Sequence, residues 1–366
     1  MKITAAVTTA PCADFVFKEL TLSDPNPNEV LVRVVATGVC HTDAGARDSQ
    51  FPTNYPIVLG HEAAGIVEET GVGVTSVQKG DHVILSYCYC GNCPSCLTGN
   101  PGGCKENGRL NFGGKMEDGA FRLHDNGQPV HSFFGQSSFA TYAVANEKNV
   151  VKVDKDIDLA LLGPLGCGIL TGCATVLNGI KPDFASSIVI LGCGAVGLSA
   201  VMGAKLSMCD TIIAVDINDE RLALAKELGA THTINGKHGD VTAAILEATN
   251  GLGANYGVDT TGNKHVLLQG LKGIAPAGKL VVVAVGYGDV TIDIAGDILF
   301  PTRTIQGMIE GAVMPKEFIP KLISYYKKGL FPFDKLICFY DFKDINQAFA
   351  DTKSGKSIKA VLRINA

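Results

Sequence analysis

The chain has 366 residues, 46% hydrophobic and 18% charged, which excludes a disordered protein and predicts two domains rather than one or four. Its net charge of −5, without a basic block, argues against nucleic acid or an anionic membrane as a main partner. The opening MKITAAVTTAPC lacks the apolar core of a signal peptide, and the longest apolar runs are strand-length, so a cytoplasmic location is expected.

The first part, residues 1 to about 168, is rich in short β-like runs broken by Gly, Pro and Asn. EVLVRVVATGV (29–39), AAGIVEE (63–69) and DHVILSY (81–87) are examples, and they predict an irregular, mostly β domain. No internal repeat is visible. The texture changes near 169. SSIVILG (186–192) predicts a strand, GAVGLSAVMGAKLSM (194–208) a helix, TIIAVD (211–216) a strand and NDERLALAKELGA (218–230) a helix. Asn218 suits the cap of that last helix and Gly229 its end. A helix over about 263–274 and the strand in GKLVVVAVG follow. This alternation predicts a parallel sheet with helices on both faces. In the tail, 315–329 predicts an amphipathic helix with Phe318, Leu322 and Tyr326 on one face. DINQAFADTKSG predicts a shorter helix and IKAVLRI a last strand. The tail is expected to rejoin the first domain. The domains are then 1–168 plus 309–366, with 169–308 inserted.

LGCGAVG places Gly192, Gly194 and Gly197 in G-x-G-x-x-G spacing between a strand and a helix. The first glycine permits the turn and the second the approach of a pyrophosphate. The third lets helix and strand pack closely, and the helix N-terminus attracts the phosphates. Asp216 ends the next strand, nineteen residues after Gly197, where a carboxylate meets the hydroxyls of an adenosine ribose. A carboxylate there repels a 2′-phosphate, which favours NAD over NADP. Arg221 is a mild counterweight.

Two groups of metal-ligand residues stand out among the twelve cysteines and eight histidines. Cys90, Cys93, Cys96 and Cys104 supply four thiolates within fifteen residues, which saturate a tetrahedral zinc and leave no open position. Such a site cross-links a loop and activates nothing. A nucleic-acid-binding zinc ribbon and an iron–sulfur cluster are alternative readings of the same ligands. Cys88 falls outside the spacing. The other residues are scattered: Cys40, Thr42 and Asp43 in GVCHTD, His61 and Glu62 in GHEAAG, and Cys167 in GPLGCG. Spacing alone does not unite them.

The order of GVCHTD, GHEAAGIVEETGVGV, the four-cysteine loop, GPLGCG and LGCGAVG resembles the zinc-dependent medium-chain alcohol dehydrogenase family over essentially the whole chain. The segments around PLGCGI, SSFATYAV, KEFIP and GLFPFD most resemble its aryl-alcohol (benzyl-alcohol) dehydrogenases. The resemblance implies a GroES-like catalytic domain carrying an inserted Rossmann domain. It implies two zinc ions per chain and NAD as cofactor. The catalytic zinc is then held by Cys40, His61 and Cys167, with the fourth position open to the alcohol. Thr42 starts the alcohol proton on its way out, Asp43 orients His61, and Glu62 lies beside the metal. His41 and Lys359 correspond to cationic positions near the cofactor pyrophosphate, and Thr171 and Val196 to positions on the nicotinamide. Many relatives carry a proton-passing histidine where this chain has Gly45. Phe51, Phe133 and Ser86 match positions lining the substrate pocket, which suits primary aromatic or allylic alcohols and their aldehydes. Alternative readings are a glutathione-dependent formaldehyde dehydrogenase, a general aliphatic alcohol dehydrogenase and, more distantly, a non-catalytic NAD- or zinc-binding protein. Relatives associate through an edge strand, near 291–310 here, so a homodimer or homotetramer is expected.

Overall fold

The computed structural model describes residues 1–286 and 288–364; Tyr287, Asn365 and Ala366 lie outside the described residues. The chain divides into two compact units. The first contains Met1–Gly168, Met314–Ser324 and the described residues from Phe333 onward; the second contains Ile169–Val313 and Tyr325–Pro332.

In the first unit, runs of β-branched residues build two sheets. A five-stranded antiparallel sheet has the order Ile57–Val58, Lys2–Thr8, Val16–Leu22, Leu123–Asp125, Gln128–Val130. The larger sheet runs Val150–Val153, His82–Leu85, Ala63–Thr70, Glu29–Gly38, Lys359–Arg363, Ile337–Asp341, with Tyr142–Asn146 also paired to Glu29–Gly38. Glu29–Gly38 is buried along nearly its whole length, as a strand with neighbours on both edges must be. The tail returns here: Val361 pairs with Gly38 in antiparallel register. The chain therefore leaves this unit, builds the other and comes back.

The second unit is a six-stranded, wholly parallel sheet. Its order is His232–Asn235, Thr211–Asp216, Ser187–Leu191, Ala254–Asp259, Ile274–Val282, Thr304–Gly307. Numbered within the unit this is 3-2-1-4-5-6, the doubly wound nucleotide-binding order. Strands such as Ser187–Leu191 read as continuous apolar runs because helices cover both faces. The helix Asp219–Leu228 begins where Asn218 accepts the N–H groups of Glu220 and Arg221, and ends at Gly229, whose φ is 132°. Asp240 and Asn263 cap the next two helices, Val241–Ala248 and Lys264–Lys272, in the same way.

Two sequence expectations shift. Residues 309–313 and 325–332 belong with the second unit rather than the first. In the helix Pro315–Lys327 the buried positions are Pro315, Ile319, Leu322 and Ile323, while Phe318 and Tyr326 are only half-buried. Branched aliphatic side chains take the inner stripe, and the bulkier aromatics sit at its margins.

Candidate active site

Three loops of the first unit converge. The helix His41–Arg47 starts at Cys40, and its first turn carries Asp43, which accepts the Cys40 N–H on Oδ2 at 3.0 Å. That reciprocal cap fixes the cysteine at the helix entrance. Asp43 Oδ1 meets His61 Nδ1 at 2.9 Å and accepts the Gly60 N–H at 3.0 Å. One fully buried carboxylate thus holds two loops. Cys167 follows the tight turn Gly163–Gly166. The ligand atoms of Cys40, His61, Glu62 and Cys167 lie within 4.8 Å of one another. Thr42 Oγ1 is 3.6 Å from Cys40 Sγ.

These residues fit a zinc ion. With Nδ1 engaged by Asp43, His61 presents Nε2, which is buried and has no hydrogen-bond partner. A buried imidazole nitrogen left this way is what a metal ligand looks like before the metal is considered. The Cys40 thiol is held well below its ordinary value, first by a hydrogen bond from Cys167, with His61 and Lys359 adding to it against burial. Burial works to lower His61, but Asp43 and Cys40 together outweigh it, and the imidazole is raised well above its ordinary value. A soft, electron-rich donor set in a site that favours positive charge suits Zn²⁺.

Lys359, expected beside a pyrophosphate, forms a buried ion pair with Glu62 within the first unit. It is 3% exposed, and its ammonium donates to both Glu62 oxygens, at 2.8 and 2.9 Å, and to the Val39 carbonyl at 3.2 Å. All three donors are used within the first unit. Burial pushes the Glu62 carboxyl up to about 7, with Lys359 pulling against it. Glu62 Oε1 also accepts the Gly168 N–H at 3.3 Å, beside Cys167.

Ser86, expected at a pocket-lining position, is fully buried, and its hydroxyl donates to the Gly166 carbonyl at 2.7 Å, which braces the turn that leads into Cys167. Phe51 and Phe133 belong to an aromatic set that also contains Phe112 and Phe134. Phe51 meets Phe112 edge-on at 5.3 Å, Phe112 meets Phe133 at 5.8 Å, and Phe133 meets the His61 ring at 5.6 Å. Phe134 stacks on His61 at 4.4 Å. Phe112 and Phe134 were not singled out by sequence; the adjacent pair FF at 133–134 was the available signal.

The four-cysteine loop is a separate cluster whose sulfurs also lie within 4.8 Å of one another. Backbone N–H groups of Cys96 and Lys105 hold Cys93 down to about 6, while burial pushes Cys96 up to about 12. Four cysteine sulfurs this close are a donor set that a shared cation would hold as thiolates. Cys88 stands apart: its thiol donates to the Phe134 carbonyl at 3.2 Å, and Asn149 Nδ2 donates to its sulfur at 2.7 Å.

In the second unit, Gly192 has a φ of 93°, and a Cβ on Gly197 would run into the Gly192 carbonyl oxygen. Gly194, which starts the helix Ala195–Leu206, faces open space. The loop therefore has the turn, the close packing and the cleared approach that a pyrophosphate needs. It sits at the carboxyl ends of the first and fourth strands of the parallel sheet, where Thr260 Oγ1 donates to the Leu191 and Gly192 carbonyls at 2.9 and 3.2 Å. Asp216 accepts the backbone N–H of Cys193, Ile217 and Asn218, and Arg221 lies on the following helix. Gly172, the residue after Thr171, packs against Val196, and the Thr171 hydroxyl donates to Glu310 at 3.0 Å. His41 is exposed.

Comparison with known proteins agrees with this architecture. The family description "Alcohol dehydrogenase GroES-like domain" matches residues 26–155, and "Zinc-binding dehydrogenase" matches residues 195–327. A geraniol dehydrogenase from Castellaniella defragrans is 44% identical over 345 residues, 93% of this chain and 92% of that protein. The chain belongs to the zinc-dependent medium-chain alcohol dehydrogenases. Two solved structures cover the whole dehydrogenase and are covered wholly by it. A zinc-binding alcohol dehydrogenase domain protein from Burkholderia ambifaria has a TM-score of 0.97 at 47% identity. A benzyl alcohol dehydrogenase from Acinetobacter calcoaceticus has a TM-score of 0.96 at 48% identity. Among the described residues no helix is long and apolar enough to cross a membrane.

Proposed function

We propose that this dehydrogenase interconverts primary aromatic or allylic alcohols and their aldehydes, with NAD as the hydride carrier. The observation that carries the substrate class is the aromatic set of Phe51, Phe112, Phe133 and Phe134 packed onto the ring of His61. Flat rings pack well against such edges and faces, and a conjugated alcohol is flat at the reacting carbon. The names of the geraniol and benzyl alcohol dehydrogenases point the same way, one allylic and one benzylic.

Cys40, His61 and Cys167 would hold a zinc ion, which would supply a Lewis acid that lowers the pKa of an alcohol, and the glycine loop would hold NAD, which would supply the hydride acceptor. The chain's own residues do the rest. Asp43 fixes the imidazole so that Nε2 faces the two sulfurs. Thr42 Oγ1, beside Cys40 Sγ, would accept the alcohol's proton while giving up its own hydroxyl proton to water, because Gly45 has no side chain to carry it further. The glycine loop and the helix behind it receive the pyrophosphate. Asp216 is kept at its strand end by three backbone N–H groups, and its negative charge disfavours a 2′-phosphate. Self-association through the strand Thr304–Gly307, an edge of the parallel sheet, fits the exposed Ile294, Leu299, Phe300 and Ile309 around it in sequence.

The test is one panel: kcat/KM for benzyl, cinnamyl, geranyl, hexyl and ethyl alcohols, each with NAD and NADP. Benzylic and allylic alcohols should lead, and NAD should beat NADP. Ethanol outrunning benzyl alcohol would overturn the substrate class; NADP equalling NAD would overturn the cofactor assignment.

A further inference from the structure

Gln136 and Ser86 are not among the metal ligands, yet they connect two of the loops that carry them. Both are buried, at 2% and 0% exposure. Gln136 Nε2 donates to the carbonyl oxygens of His61 and Ser86, each at 3.1 Å. Ser86 Oγ in turn donates to the Gly166 carbonyl at 2.7 Å. An unbroken line of hydrogen bonds therefore runs from the peptide of His61, through one amide and one serine, to the peptide just before Cys167.

The orientation of the amide follows from its neighbours. Two carbonyl oxygens can only be met by the NH₂ end. The other end, Oε1, is buried with no hydrogen-bond partner. An unpaired buried acceptor is unfavourable, and an apolar side chain would avoid it. What the amide adds at this position is a double donor aimed at the backbone of two loops. The packing leaves little alternative for the turn: a Cβ on Gly166 would strike the Leu85 carbonyl, so the ligand-bearing turn lies directly against the strand end that carries Ser86.

We propose that Gln136 and Ser86 are positioning residues for the catalytic zinc. They set the distance between the peptides of His61 and Cys167 and so the span of the Cys₂His site, without touching the metal. The proposal rests on the reading of Cys40, His61 and Cys167 as the catalytic ligand set. Outer groups that hold metal ligands typically change metal affinity by about 10- to 100-fold when removed.

The test uses the full-length, zinc-loaded protein and its Gln136→Leu and Ser86→Ala variants. Zinc release to the chromogenic chelator 4-(2-pyridylazo)resorcinol is followed, with the four-cysteine site as internal reference. The expected result is that one of two zincs leaves about 10- to 100-fold faster while the other keeps its rate. Cobalt(II) substituted into the faster site should show a shifted thiolate-to-metal absorption band. Ser86→Ala removes a single hydroxyl and carries the test if Gln136→Leu does not fold. A lower melting temperature with both release rates unchanged, or both accelerated alike, would make these residues merely structural and overturn the proposal. A wild-type chain holding one zinc would overturn the ligand reading, and the proposal with it.

Discussion

Asp43 shows how much one atom's chemistry decides at this site. Its two oxygens serve different loops: Oδ1 takes the His61 ring and the Gly60 N–H, Oδ2 the Cys40 N–H. Asparagine has the same shape but one acceptor oxygen, so Asp43→Asn must leave either His61 or Cys40 facing an N–H donor. Expected is a loss of about 10- to 100-fold in affinity at one zinc site, measured by chelator competition, with the fold retained. An unchanged affinity would mean that Asp43 does not orient the ligands. Asp216 is the corresponding residue of the second unit. Asp216→Ala removes both the charge and the acceptor of three backbone N–H groups, and the ratio of kcat/KM with NAD to that with NADP should fall by about 10-fold or more, one charge-assisted hydrogen bond's worth. A ratio that stays put would place cofactor choice elsewhere. Asp216 was visible in sequence because it ends the strand after the glycine loop, whereas Asp43 was singled out only through the family resemblance that CHTD helps to carry. Lys359 was not legible in the same way. Its partner Glu62 is 297 residues away, and no local pattern announces a buried ion pair of that span.

At the scale of elements, the short helix His41–Arg47 does more than start at a ligand. Gly45 is buried on it, and a Cβ built there would lie 2.7 Å from Phe51 Cε1 and 2.9 Å from Cζ. The space that a side chain would fill is taken by the ring of Phe51, the outermost of the aromatic set that leads through Phe112 and Phe133 to His61. Gly45→Ala should push that ring aside with little loss of stability, since the far end of a phenyl group can move. Aromatic pairs contribute about 0.5–1.5 kcal/mol beyond their buried area, so the preference for benzyl over hexyl alcohol in kcat/KM should drop about 2- to 10-fold. If the preference is unchanged, Phe51 is not part of the substrate wall. The sequence shows Phe51 and Phe133 only through resemblance. The set itself is assembled by contacts across more than sixty positions, which periodicity cannot register. Helices and strands of the parallel sheet were legible for the opposite reason. Their caps, glycine ends and apolar runs are local; in the helix Pro315–Lys327, most of which lies in the first unit, the inner stripe was misplaced because aromatic and branched residues compete for it.

For the whole molecule, the alternation of strands and helices after 169 announced an inserted α/β unit, and the strand Lys359–Arg363 completes the first unit's larger sheet. What holds that unit's two sheets in register could not be read from the sequence. Arg122 stands before the strand Leu123–Asp125 of the smaller sheet, and Glu29 opens the strand Glu29–Gly38 of the larger. Arg122 Nε and Nη2 donate to the two Glu29 oxygens at 2.9 and 2.8 Å, with both side chains under a tenth exposed. Such a fork matches a carboxylate in geometry as well as charge. Arg122→Met would fill much of the same space but leave the Glu29 carboxylate buried, with only the Asn26 N–H still donating to it. Breaking a buried pair from one side costs about 3–5 kcal/mol, to be read from the denaturant midpoint at unchanged slope. Adding Glu29→Gln removes the stranded charge, so the double variant should recover a substantial part of that loss even though no ion pair remains. A single variant costing under about 1 kcal/mol would show that the sheets are held by their apolar faces alone. A double variant no more stable than the single would show that the loss lies in the packing of the arginine stem or in its contact with Asp118 and not in the unpaired Glu29 carboxylate.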